Sequence, residues 1–257
     1  MALTGCDLDS FLFNSQEIDA YELPDNTIPD SLLEEVTFLS ESNRLYGYWI
    51  ESDGSRPGLV MIYCHGNKHN LDEYWDRVMM MHQLGVNLLI FDYRGFGKSE
   101  GESSEEGITR DAEAALAFVS SRGFLPDSTV VMGYSLGNVP AIHLAAKRLK
   151  PRRLICEAPF ASSNSLTQGS LGLDIPAGWL TTGRFDNAKN IELITTPLLL
   201  IHGVQDEFVR WRDNGRIVFD HAPQPKRLVL VDNGEHDDLP QKMGEANYIA
   251  LLREWIQ

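Results

Sequence analysis

The chain alternates between short, nearly unbroken apolar runs and longer segments whose apolar positions recur every three or four residues. The runs at 58–64, 86–92, 128–132, 153–157, 197–203 and 226–232 are rich in Val, Ile and Leu. That pattern predicts strands, the purest runs being buried on both faces. Residues 34–39 and 45–50 also read as strands, the second rich in aromatics. Helices are expected over 71–84 (stopped by Gly85), 108–121, 138–149, 209–221 and 239–256. Strands alternating with helices predict an α/β protein with a mostly parallel eight-stranded sheet flanked by helices. Residues 1–33, mixed and punctuated by proline from residue 24 on, read as an N-terminal tether lying against one domain over 34–257. Within that domain, 159–190 breaks the alternation and predicts a small lid insertion.

Composition narrows the function classes. A length of 257 residues with 43% hydrophobic content suits one large domain with a sizeable core. A net charge of −15 argues against a nucleic-acid partner. No apolar run is long enough to span a membrane. Three cysteines without a CxxC pair point away from a disulfide framework or zinc knuckle, and Cys64 and Cys156 fall in predicted strands as buried thiols. Leu3-Thr4-Gly5-Cys6 resembles a bacterial lipobox. It implies lipidation at Cys6, attachment to a membrane through that lipid, and a place in the bacterial cell envelope. The alternative is an accidental tetrapeptide ahead of a cytoplasmic enzyme.

The chemistry concentrates at Gly133-Tyr134-Ser135-Leu136-Gly137, between a predicted strand and a predicted helix. A serine flanked at two residues on each side by glycine at a strand-to-helix turn reads as a nucleophile elbow. The turn is so tight that a Cβ at either glycine would strike neighbouring backbone. Asp206 follows the apolar run at 197–203, and His236 follows the run at 226–232. Each of the three lies just past the C-terminal end of a strand, where parallel-sheet enzymes collect their reactive groups. Ser135 is the expected nucleophile, His236 its base and Asp206 the group orienting the imidazole. Asp232 and Asp237 are rival acids, although Asp237 adjoins the histidine and is poorly placed to meet its ring. An oxyanion would need two donors. The backbone N–H of Leu136 is one, and Asn67, in the loop after the third strand, is the second, with Lys68 as its alternative.

Other features read as structural. The glycine-rich loop over 92–101 has no Walker pattern, so Arg94 is expected to tie that loop by hydrogen bonds. His65 and His69 are four apart, but His65 belongs to a strand-end loop, so no metal is expected. Met79-Met80-Met81 reads as helix packing. Phe160, Leu166, Leu171, Trp179 and Phe208 are candidates to line an acyl pocket.

Taken together, these motifs resemble the small-lid serine hydrolases of the α/β-hydrolase superfamily, including bacterial hydrolase lipoproteins and α/β-hydrolase-domain depalmitoylases. The resemblance rests on His65-Gly66-Asn67, the run from Phe91 to Gly101, the elbow, Phe185-Asp186-Asn187, His202-Gly203-Val204-Gln205-Asp206-Glu207 and the early Phe11-Leu12-Phe13. It implies a cofactor-free serine esterase acting on small acyl esters of short or medium chain. Acyl thioesterase and aminopeptidase-like amidase are the rival activities, and a hydrolase-fold binding protein is the non-enzymatic alternative. Two departures stand near the pocket entrance: Lys68-His69-Asn70 replaces a run of small residues, and Arg210 stands where a proline is usual.

Overall fold

A computed structural model describes residues 13–163, 165 and 185–257. Eight strands form one sheet: β1 (Leu33–Ser40), β2 (Asn43–Ile50), β3 (Val60–Cys64), β4 (Asn87–Phe91), β5 (Thr129–Tyr134), β6 (Arg153–Glu157), β7 (Leu198–Gly203) and β8 (Lys226–Val231). Their order is β8-β7-β6-β5-β3-β4-β2-β1. The β1–β2 and β2–β4 pairings are antiparallel and the rest are parallel. The central strands β3, β4, β5 and β7 are buried along their whole length. This is why their sequences are continuous apolar runs rather than alternations.

Alternate side chains from these strands feed two cores. Ile62, Leu89, Val131, Leu154 and Leu200 point to the layer holding α2 (Glu105–Ser121) and α3 (Asn138–Lys147). Met61, Leu88, Met132, Ile155 and Leu199 meet α1 (Trp75–His82) and the C-terminal helix on the other face. Helices on both faces of a parallel sheet leave the C-terminal strand ends as the place where loops can gather.

Several predicted helices have different bounds, each for a local reason. The 71–84 segment opens with a 3-10 turn, Leu71–Tyr74, in which the Asn70 side chain accepts from the Asp72 N–H at 2.9 Å. Helix α2 starts three residues earlier than expected because Ser104 caps it, its Oγ accepting from the Gly107 N–H at 3.0 Å. A helix over 209–221 does not form. Val209 is bound into the preceding loop, and after a 3-10 turn at Trp211–Asp213 the helix, α5, covers only Gly215–His221. The last expected helix is two, α6 (Leu239–Met243) and α7 (Glu245–Trp255), split at Gly244 with φ of 80°. A short helix missed in the sequence, α4 (Asn187–Ile191), is capped by Asp186, whose side chain accepts from the Lys189 N–H at 3.0 Å.

The residues ahead of the sheet lie across its C-terminal end. Asn14–Ser15 pairs in parallel with Lys68–His69. Phe13 is buried edge-on against Phe96 and Phe185. Tyr21 donates its hydroxyl to Asp92 at 2.7 Å. Arg94 ties the glycine-rich loop to α2 through Asp111 (2.8 Å) and to the β1–β2 turn through Glu41 (3.1 Å). Cys64 and Cys156 are free and fully buried, and burial pushes the Cys64 thiol up to about 12. No helix among the described residues is long and apolar enough to cross a membrane.

Candidate active site

Strand β5 ends at Tyr134 and the chain turns at once into a 3-10 turn over Ser135–Gly137 and then α3. Ser135 has φ of 51°, a left-handed conformation that a residue with a Cβ adopts only under constraint, at a cost on the order of 1–3 kcal/mol. The two glycines make the turn possible. A Cβ on Gly133 would lie 2.6 Å from the Gly137 carbonyl oxygen, and one on Gly137 would overlap the Cys64 carbonyl of β3. The result holds the serine side chain at the head of α3.

Three strand-end residues meet there. Ser135 Oγ lies 2.9 Å from His236 Nε2, and His236 Nδ1 lies 2.7 Å from Asp206 Oδ2. The carboxylate can only accept, so Nδ1 carries the imidazole proton and Nε2 offers its lone pair to the serine hydroxyl. Asp206 is 3% exposed, and its other oxygen accepts from the Val209 N–H at 2.7 Å. His202, four residues earlier near the end of β7, donates from Nε2 to the Val209 carbonyl at 2.8 Å. Burial lowers the pKa of His202, against the opposing pull of that carbonyl and of Asp206. The two rival acids are elsewhere: Asp232 is exposed, and Asp237 hydrogen-bonds to the Tyr134 hydroxyl.

A cavity of about 600 Å³ opens over Ser135. Its walls include Asn14, Asn67, Tyr74, Tyr134 and Phe208. Asn67 Oδ1 accepts from the Asn14 N–H at 3.0 Å, which ties this loop to the N-terminal segment. The neighbouring Lys68 N–H is already given to the Tyr74 hydroxyl at 2.8 Å, so it is not a donor to the cavity. Phe208 is 53% exposed and sets its ring edge-on to His236, with centroids 5.0 Å apart. Phe160 does not line this cavity. It is 1% exposed and packed into the core beside Phe185, because the loop after β6 turns inward there. Trp179, Leu166, Leu171 and most of the expected lid, like Cys6, lie outside the described residues. Among the described residues no group of His, Cys, Asp and Glu is arranged to hold a metal. His65 is instead buried 3.2 Å from Asp92 and packed on Tyr93.

A buried charged pair beneath the cavity was not expected from the sequence. Arg77 of α1 meets Glu157 at the end of β6 at 2.6 Å, and Tyr248 donates to the other Glu157 oxygen at 2.5 Å. The sequence does carry a signal. Arg77 interrupts the apolar stripe Tyr74, Val78, Met81 on one helix face, and Glu157 ends an apolar strand run.

This sheet order, with a serine elbow after β5, an acid after β7 and a histidine after β8, defines an α/β-hydrolase, and the comparisons agree. The family model described as "Serine aminopeptidase, S33" matches residues 55–182. The protein YfhR of Salmonella typhimurium (strain LT2) is 31% identical over 249 residues, covering 89% of this chain and 84% of its own. The human alpha/beta hydrolase domain-containing protein 17B is 27% identical over 227 residues, covering 86% and 74%. The structure of the Pyrococcus furiosus esterase Pf2001 superposes with a TM-score of 0.75 at 21% identity, covering 95% of this chain and 97% of that one. The chain belongs to the α/β-hydrolase family.

Proposed function

We propose that this hydrolase is a serine esterase that cleaves small carboxylic esters of short or medium acyl chain through a covalent acyl-enzyme. The observation that carries the reading is the continuous hydrogen-bonded line Ser135–His236–Asp206 at the mouth of the cavity. Ser135 Oγ attacks the ester carbonyl carbon as His236 Nε2 takes the hydroxyl proton. Asp206 stays ionised and stabilises the imidazolium. The oxyanion is received by the Leu136 N–H at the head of the turn and by Asn67. The C–O bond then breaks, and the alcohol leaves with the proton from Nε2. Water repeats the sequence in reverse and releases the acid, regenerating Ser135.

The cavity favours small esters. Its described walls mix the aromatic Tyr74, Tyr134 and Phe208 with the polar Asn14, Asn67 and Lys68, which leaves little continuous apolar surface for a long chain. A panel of p-nitrophenyl esters from acetate to palmitate tests this. Turnover should peak at short or medium chains and fall for long ones. A maximum at palmitate would contradict it. On the sequence alone, Cys6 is proposed to carry a lipid in the cell envelope, which a mass spectrum of the native protein tests.

A further inference from the structure

We infer that Tyr134 and Arg77 are positioning residues for His236: they grip the peptide carbonyls of residues 236 and 237 and so set the imidazole between Asp206 and Ser135. The inference rests on the hydrolase reading above. His236 lies in a loop after β8, an edge strand that is only partly buried. The first half of the loop is held by main chain, the Gln205 N–H donating to the Gly234 carbonyl at 2.9 Å. The second half is held by side chains from distant elements. The Tyr134 hydroxyl shares its one proton between the Asp237 carboxylate and the His236 carbonyl oxygen, the latter 3.2 Å away. Arg77 Nη2 donates to the Asp237 carbonyl at 3.1 Å.

The two side chains act as a unit. The Arg77 guanidinium lies 4.2 Å from the centroid of the Tyr134 ring, close enough for a cation–π contact. Tyr134 is the residue immediately before Ser135, so its phenol joins the nucleophile's own strand to the base's own carbonyl. Glu157, which holds Arg77, is tied to the same turn. Its backbone carbonyl accepts from Asn138 Nδ2 at 2.8 Å, and that amide also donates to the Ser135 carbonyl at 3.0 Å. The network therefore ends on Ser135, His236 and Asp237.

Core stability alone is a poor reason for such a network. Desolvating two charges consumes much of their mutual attraction, and apolar residues of similar volume often serve a core as well or better. The buried pair does something apolar residues cannot: it presents a fixed donor to the base loop. Placement matters because a displacement of about 1 Å at reacting groups costs roughly a hundredfold in rate.

The test compares Tyr134→Phe and Arg77→Lys with wild type. Each is measured for kcat and KM on p-nitrophenyl butyrate, melting temperature and fluorophosphonate labelling. Tyr134→Phe removes one hydroxyl and keeps the ring, whereas Arg77→Lys keeps the charge on Glu157 and loses the fork that reaches residue 237. Both should lose about ten- to a hundredfold in kcat with KM within about twofold. Tyr134→Phe decides alone if Arg77→Lys does not fold. A folded Tyr134→Phe with kcat within about twofold of wild type, or with KM raised and kcat unchanged, overturns the inference. Wild type that takes no fluorophosphonate and hydrolyses no ester overturns the hydrolase reading itself, a result distinct from loss in the variants alone.

Discussion

His236 Nδ1 lies 2.7 Å from Asp206 Oδ2, while Asp237, its neighbour in sequence, turns away to the Tyr134 hydroxyl. Chain proximity and functional proximity are thus separated, and mutation can separate them too. Asp206→Asn should lower kcat about ten-thousandfold, because an amide there favours the wrong imidazole tautomer and no longer stabilises the imidazolium. Asp232→Asn and Asp237→Asn should each change it by less than about tenfold, since an amide at 237 still offers Tyr134 an acceptor. Steady-state kinetics on p-nitrophenyl butyrate check this. Equal damage from Asp232→Asn would move the acid to the loop after β8.

Gly137→Ala should cost at least about 2 kcal/mol of stability, because the new Cβ meets the Cys64 carbonyl, a backbone atom that cannot step aside. Urea unfolding would show the loss, or the protein would fail to accumulate in soluble form. A variant as stable as wild type would mean that β3 and the elbow are not packed as described.

Asn67→Ala tests the loop after β3 from another side. The side-chain oxygen is engaged by the Asn14 N–H, and we assign the oxyanion contact of residue 67 to its backbone N–H, which truncation of the side chain leaves in place. Removing the side chain should slow turnover by less than about tenfold through loosening of the loop. A loss of about a hundredfold or more, the size typical for a deleted oxyanion donor, would put the side-chain amide itself on the oxyanion.

Stability should fall as the solution is acidified below neutrality. Burial lowers the pKa values of His202, His143 and His82 from the ordinary 6.5, with Glu113 opposing the shift at His143 and Asp53 at His82. Below about 6.5 the unfolded chain takes up protons at these sites while the folded chain resists, so unfolding gains until the lowered folded values are passed. Denaturant midpoints measured at about pH 7.5 and 5.5 should decrease between the two. A flat or rising midpoint would contradict these lowered values.

Much of this molecule was legible in the sequence because its sheet is buried. Six of the eight strands follow from apolar runs and the first two from short strand-like segments, and the serine elbow follows from two glycines that nothing larger can replace. Helix ends were less legible where a tertiary contact outbid periodicity: Asp206 drew Val209 into its loop, and Gly244 broke an otherwise apolar-periodic segment. Phe160 was misread for a related reason. An aromatic after a strand can face a cavity or the core, and the direction of the loop after β6 is set by contacts distant in sequence, such as Asn187 Nδ2 donating to the Phe160 carbonyl at 2.9 Å. Arg77 and Glu157 were visible only as two charges out of place in apolar patterns, 80 residues apart.

The most direct test is the identity of the serine that reacts. Purified protein treated with a fluorophosphonate should gain one adduct by intact mass, and peptide mapping should place it on Ser135. Ser135→Ala should take no label, keep its fold by circular dichroism, and lose about a thousandfold or more in p-nitrophenyl butyrate turnover. An adduct on a different serine, or a Ser135→Ala variant retaining about a tenth of the wild-type rate, would contradict the account.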